Sequence, residues 1–190
     1  MDKLDLKKPV FLCGMMGAGK STVGRRLASE LRVPFRDLDE MIEESAGKSI
    51  PEIFSDDGEE HFRALERSLL VKESQYFKGV MSLGGGALQS QPVTDHLKIY
   101  GWLVFLDVPL SVILDRISGD DNRPMLSRGS SPESMTQKEA ETTRVKTLLE
   151  ERLPFYQQAE ITVDAGDRPA EEIAHELIKK LTLYDGFYRR

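Results

Sequence analysis

The sequence has one cysteine, Cys13, one tryptophan and three histidines among 190 residues. A single thiol excludes an internal disulfide and any metal site built from several cysteines. His61, His96 and His175 stand far apart, with no partner at metal-ligand spacing, and read as surface or boundary residues. Positive charge is also in short supply. Against 32 Asp and Glu there are 26 Lys and Arg, a formal net charge of −6 that argues against a nucleic-acid-binding surface. No apolar run approaches the ~18–20 residues of a membrane span. "MDKLDLKKPV" has no apolar stretch after its charges, so no signal peptide is expected there. These shortages predict a cytoplasmic chain whose partners include neither nucleic acid nor membrane.

The composition that remains, 39% hydrophobic and 31% charged, is that of a globular protein, and the length suits one domain over 1–190 with a full core. Five apolar segments read as strands: "PVFLCG" (9–14), "VPFRDLD" (33–39), "GVMSLGGGAL" (79–88), "WLVFLDVP" (102–109) and "EITVD" (160–164). Helical spacing fills 20–32, 59–74, 92–100 and 110–118, and returns from 136 with an interruption expected near Pro154. A last helix is expected over 169–181, with Pro169 in its first turn. Residues 119–135 are rich in Gly, Ser, Pro and charge, too long for an ordinary connection, and read as a lid. Strands alternating with helices predict an α/β fold of three layers, a parallel sheet with helices on both faces. Ligands bind such sheets at the carboxyl ends of the strands. Those ends are Gly14, Asp37 with Asp39, Gly84–Gly86 and Asp107.

"GMMGAGKS" (14–21) matches G-x-x-x-x-G-K-[ST] in full, between an expected strand and an expected helix. A chance match in a chain this long arises in about one case in a hundred at average residue usage. Glycines let the backbone wrap an anion and aim N–H groups inward, and the helix N-terminus adds positive potential. Gly17, Ala18, Gly19, Lys20, Ser21 and Thr22 are therefore the candidate ATP-binding residues. Lys20 would reach the β/γ-phosphates, and Ser21 would ligate Mg²⁺. Cys13 reads as a buried core thiol. No N-K-x-D specifies guanine, and the chain is short for a motor, so a small-molecule kinase leads. Asp37 and Asp39 would share one face if the second strand runs through both. Two like charges there invite a cation or a hydroxyl in front of them.

In order along the chain, "GMMGAGKST", "FRDLDEMIE", "FRALE" (62–66), "LGGGAL" (83–88), "RISGDDNRPML" (116–126) and "ERLPFYQQA" (151–159) resemble the motifs of the shikimate kinase family. The resemblance covers residues 10–169. It implies a P-loop kinase fold like that of nucleoside-monophosphate kinases, with strand order 2-3-1-4-5, acceptor-binding helices over about 38–75 and the lid over about 119–135. It implies ATP-dependent phosphorylation of the 3-hydroxyl of shikimate, in the pathway to aromatic amino acids, with Mg²⁺ as cofactor and ATP as co-substrate. A monomer is expected, though nothing in the sequence itself sets the oligomeric state.

The resemblance also assigns roles. Asp37 is placed near Mg²⁺, through water, and Asp39 on the shikimate hydroxyls, with Asp39, Lys20 and Arg123 as the catalytic set. Arg63 and Arg152 receive the substrate carboxylate, a task that suits the planar fork of arginine. Glu66 helps to hold Arg63. Gly84, Gly85 and Gly86 lie against the substrate, where glycine permits close approach and positive φ. Arg123 folds over the β/γ-phosphates from the lid, Arg116 stacks on adenine, and Pro169 forms the opposite wall of the adenine site. Asp107, after "WLVFL", reads as a residue leading into a helix rather than a metal ligand.

Two other readings stand beside this one. A gluconate-type kinase would share the phosphate loop and the lid. A nucleotide-binding module without catalysis would share the loop alone, and the presence of Lys20, Ser21, Asp37, Asp39, Arg123 and Arg152 speaks against it.

Overall fold

The structure, a computed structural model, describes residues 6–117 and 136–187. Five strands form one parallel sheet in the order β2-β3-β1-β4-β5, as the resemblance implied. They are β1 (Val10–Cys13), β2 (Phe35–Asp37), β3 (Val80–Ser82), β4 (Trp102–Asp107) and β5 (Ile161–Asp164). The eight helices among the described residues are α1 (Lys20–Leu31), α2 (Leu38–Ala46), α3 (Ile50–Asp56), α4 (Gly58–Ser74), α5 (Gln91–Tyr100), α6 (Leu110–Ile117), α7 (Gln137–Tyr156) and α8 (Ala170–Phe187).

The central strand explains the layering. All four residues of β1 are buried, and successive side chains of a strand point to opposite faces. Val10 and Leu12 join one core with Leu27 of α1, Val104 and Leu106 of β4, and Leu177 of α8. Phe11 and Cys13 join the other with Ile42, Phe54, Leu70, Met81, Phe105 and Tyr156. A sheet buried on both faces needs continuous apolar strands, which is why "VFLC" and "WLVFL" lack alternation. Cys13 is the buried thiol that its apolar strand foretold.

Three local features depart from expectation. The second strand ends at Asp37, and Leu38 already begins α2. Asp37 is the N-cap of that helix, its Oδ1 accepting from the Asp39 N–H at 3.1 Å. The aspartates therefore do not share a strand face. Pro154 does not interrupt α7, which runs on to Tyr156. The proline is exposed, while Leu153, Phe155 and Tyr156 pack into the second core, and that packing outweighs the lost backbone bond. Pro169 precedes α8 rather than entering it, and α8 continues to Phe187, beyond the expected end.

Candidate active site

The carboxyl ends of β1, β2 and β3 open into a cleft of about 630 Å³. Its floor is the loop between β1 and α1. Gly14, Gly17 and Gly19 hold φ of 142°, 76° and 84°, values that side chains rarely adopt. A Cβ on Gly14 would also stand 2.7 Å from the Leu106 carbonyl oxygen on β4. The local chain path thus requires glycine, and Gly19 caps α1 with no side-chain bond of its own. The first N–H groups of α1 are left for an anion. Lys20 folds back along the loop, its Nζ donating to the Gly14 and Met15 carbonyls at 3.0 Å each.

Beside the loop, the Ser21 hydroxyl donates to Asp37 Oδ2 at 2.6 Å, with Ser82 Oγ 3.4 Å from Ser21 Oγ. The two oxygens of Asp37 are therefore divided, one to the helix cap and one to the phosphate side. This grouping is all hard oxygen, the ligand type that Mg²⁺ takes with few protein groups and several waters or phosphate oxygens. No cluster of three or more His, Cys, Asp or Glu occurs among the described residues that could cage a metal by itself.

Across the cleft, α2, α4, α7 and the turn after β3 bring together residues more than a hundred positions apart. Asp39, Arg63, Glu66, Arg152 and Gly84–Gly86 all line this wall. Arg63 donates to Glu66 Oε2 at 2.7 Å, so the i,i+3 spacing on α4 becomes a real ion pair. Glu66 and Arg152 are each 2% exposed. Glu66 Oε1 and Arg152 Nε have no hydrogen-bond partner among the described residues. Burial raises the carboxyl of Glu66, against the opposing pull of Arg63. Burial, with Asp37 beside it, pushes Asp39 up to about 6, although Lys20 pulls the other way.

The triple glycine is there for space. None of Gly84, Gly85 and Gly86 has positive φ, which corrects the expectation from sequence. A Cβ on Gly84 would stand 2.8 Å from Glu66 Oε1 and 2.9 Å from Asp39 Oδ1, and one on Gly86 would stand 2.7 Å from both terminal nitrogens of Arg63.

At the far end, Arg116 bridges two loops. Its Nη1 donates to the Gly17 carbonyl at 3.2 Å and its Nη2 to the Gly166 carbonyl. Ala165, Arg168, Ala170 and Ile173 complete that end of the lining. Pro169 is exposed and does not line the cleft, because its neighbours on both sides turn inward instead. Arg123 and the expected lid, 119–135, lie outside the described residues. Asp107 is exposed at the end of β4, away from the cleft, as its reading required.

The shikimate kinase family model matches residues 16–182. The chain belongs to the shikimate kinase family. A shikimate kinase of Salinibacter ruber is 40% identical over 173 residues, 91% of this chain and 84% of that protein. One of Aquifex aeolicus is 37% identical over 172 residues, 90% of this chain and 95% of that protein. The solved shikimate kinase from Acinetobacter baumannii, in complex with shikimate, superposes with a TM-score of 0.84 at 33% identity, covering 93% of this chain and 94% of that one. A gluconokinase from Sinorhizobium meliloti reaches a TM-score of 0.60 at 20% identity over 96% and 97%, a likeness of fold alone. The shikimate kinase family thus accounts for the fold, the phosphate loop and the ATP-dependent kinase class of this enzyme.

Sequence reasoning missed part of this shikimate kinase cleft. Ile50, Phe54 and Phe62 supply an apolar wall. The helical spacing of 59–74 marks Phe62 as a helix residue and nothing more, and no local pattern marks Ile50 or Phe54. Tyr156 reaches the glycine turn from behind, its hydroxyl donating to the Gly85 carbonyl at 2.5 Å. A tyrosine in an apolar helical stretch carries no sign of that contact.

Proposed function

We propose that this chain transfers the γ-phosphoryl group of ATP to the 3-hydroxyl of shikimate, yielding shikimate 3-phosphate for aromatic amino-acid biosynthesis. The observation that carries the proposal is the acceptor wall: two carboxylates, Asp39 and the buried Glu66, with two arginines and a side-chain-free turn, face an anion-binding loop. A cyclic polyol bearing a carboxylate needs that combination.

Asp39 accepts a hydrogen bond from the reacting hydroxyl, and a value near 6 suits it to take the proton near neutral pH. With a loose transition state, much of its contribution is orientation. Arg63, braced by Glu66, and Arg152 bind the carboxylate. Lys20 exchanges the Gly14 and Met15 carbonyls for the β/γ-phosphates, and Gly17–Thr22 wrap them. Ser21 and Asp37 would hold Mg²⁺, Asp37 through water, and the ion when bound neutralises charge on the phosphates. Arg116 flanks the adenine, with Pro169 outside it. Arg123, from a lid over 119–135, offsets charge on the transferring group. The chain works as one domain and a cytoplasmic monomer, with helices 38–75 carrying the acceptor.

A coupled ADP-release assay with shikimate, gluconate or no acceptor tests the reading. Turnover with shikimate alone is expected; turnover with gluconate and none with shikimate would overturn it.

A further inference from the structure

Tyr156 is 1% exposed and is among the largest fully buried side chains of the described residues. Its ring stacks on Phe105 of β4, centroids 5.3 Å apart and planes 26° apart. Phenylalanine would serve that packing equally well. The hydroxyl does something else: it donates to the carbonyl of Gly85, the middle residue of the turn that faces the acceptor. Burial pushes the phenol up, so the group stays a neutral donor.

The direction of that bond matters. Tyr156 does not line the cleft, so the Gly85 carbonyl points away from it, into the protein. In a trans peptide the N–H of the next residue points opposite to the carbonyl. That N–H belongs to Gly86, which lines the cleft and whose amide has no acceptor among the described residues. Arg152 lies one turn before Tyr156 on the same face of α7. Its Nη1 is 3.1 Å from where a Cβ on Gly85 would stand.

We propose that Tyr156 is a positioning residue for the phosphoryl acceptor: its hydroxyl holds the Gly85 carbonyl behind the turn, aims the Gly86 N–H at the acceptor's oxygens, and keeps the turn in register with Arg152. The inference rests on the acceptor reading above and adds the side chain that orients the glycine turn.

Tyr156→Phe removes the hydroxyl and keeps the ring. The KM for shikimate is expected to rise about five- to tenfold, the worth of one hydrogen bond, while the KM for ATP stays within about twofold. An unchanged shikimate KM, or an equal rise in both constants, would overturn the proposal. A second measurement needs no variant. In wild-type protein labelled with ¹⁵N-glycine, adding shikimate is expected to move the Gly86 amide proton downfield; an unmoved resonance would overturn the proposal. Absence of wild-type turnover with shikimate would remove the functional reading, and this inference with it. Normal turnover with an unmoved Gly86 amide would remove the inference alone.

Discussion

At the phosphate end of the cleft, the recognising groups are backbone amides, held by glycines whose positive φ sets the path of the chain. At the acceptor end, on the proposed reading, they are charged side chains on α2, α4 and α7 with the Gly86 amide, and the glycines between those side chains have no positive φ and leave room. The first end is assembled from eight consecutive residues whose backbone path is set before any ligand arrives, with only the Lys20 side chain folded back on the loop. The second is assembled from four distant segments and holds buried polar atoms, Glu66 Oε1 and Arg152 Nε, without hydrogen-bond partners among the described residues. Local chain geometry stabilises one, and the ligand completes the other.

The largest test of this contrast is Asp39→Asn. Turnover should fall by about a thousandfold, the scale of a lost acid–base group, while ADP affinity by titration stays within about twofold. Comparable losses of both would mean that the two ends are not separable. Glycine substitutions come next. Gly14→Ala meets both positive φ and a backbone carbonyl, so it should destabilise the fold by about 2–3 kcal/mol in denaturant titration. Gly86→Ala should leave the fold nearly unchanged, because it presses on the ends of the Arg63 side chain. The shikimate KM should instead rise about tenfold, a loss of ~1.4 kcal/mol in binding.

A smaller effect concerns pH. Asp39 is raised from an ordinary 3.8 to about 6, so its ionised form weakens the empty fold. That penalty is complete above about 6, shrinks as pH falls through 6, and vanishes below about 3.8. Between pH 7.5 and 5 the empty protein should gain stability from this group, by under ~1 kcal/mol because Asp39 is exposed enough for solvent to screen it. Asp39→Asn should remove that part of the pH slope and raise the unfolding midpoint of the empty protein at pH 7.5. Over the same range, kcat/KM for shikimate should drop below pH 6 as Asp39 takes up its proton. The smallest change is expected outside both ends. Arg25 and Glu40 form an exposed pair at 2.6 Å. Arg25→Ala should alter stability by under ~0.5 kcal/mol and neither KM.

The two ends also differ in how readable they are. The phosphate loop is a contiguous pattern whose spacing carries its own mechanism, so Gly14 to Ser21 could be read from the chain. The sheet was readable too, because its strands are apolar runs separated by helical periods. Arg63 and Arg152 are ordinary arginines in helical stretches. Only the family resemblance paired them, since no local rule says which distant helices meet. Reading a strand through Asp39 failed because the side chain of Asp37 starts a helix, a choice decided by one cap. Reading positive φ into Gly84–Gly86 failed because neighbours from α2 and α4, invisible in sequence, are what exclude a Cβ. Tyr156 went unread because its ring belongs to the core and only its hydroxyl to the site.

Asp37 is one side chain with two employments, and that constrains how position 37 can drift. One oxygen starts α2 and the other faces Ser21. Serine or threonine would cap the helix but bring no charge to a metal. Asparagine would cap as well, and would offer a neutral oxygen where a charged one is needed. Glutamate would keep the charge, but its extra methylene takes the carboxylate out of capping reach. On the proposed reading, a lineage that replaced this aspartate would lose either the start of the helix that carries Asp39 or the water shell of the magnesium ion. No single substitution preserves both, so the position is held by two unrelated demands at once.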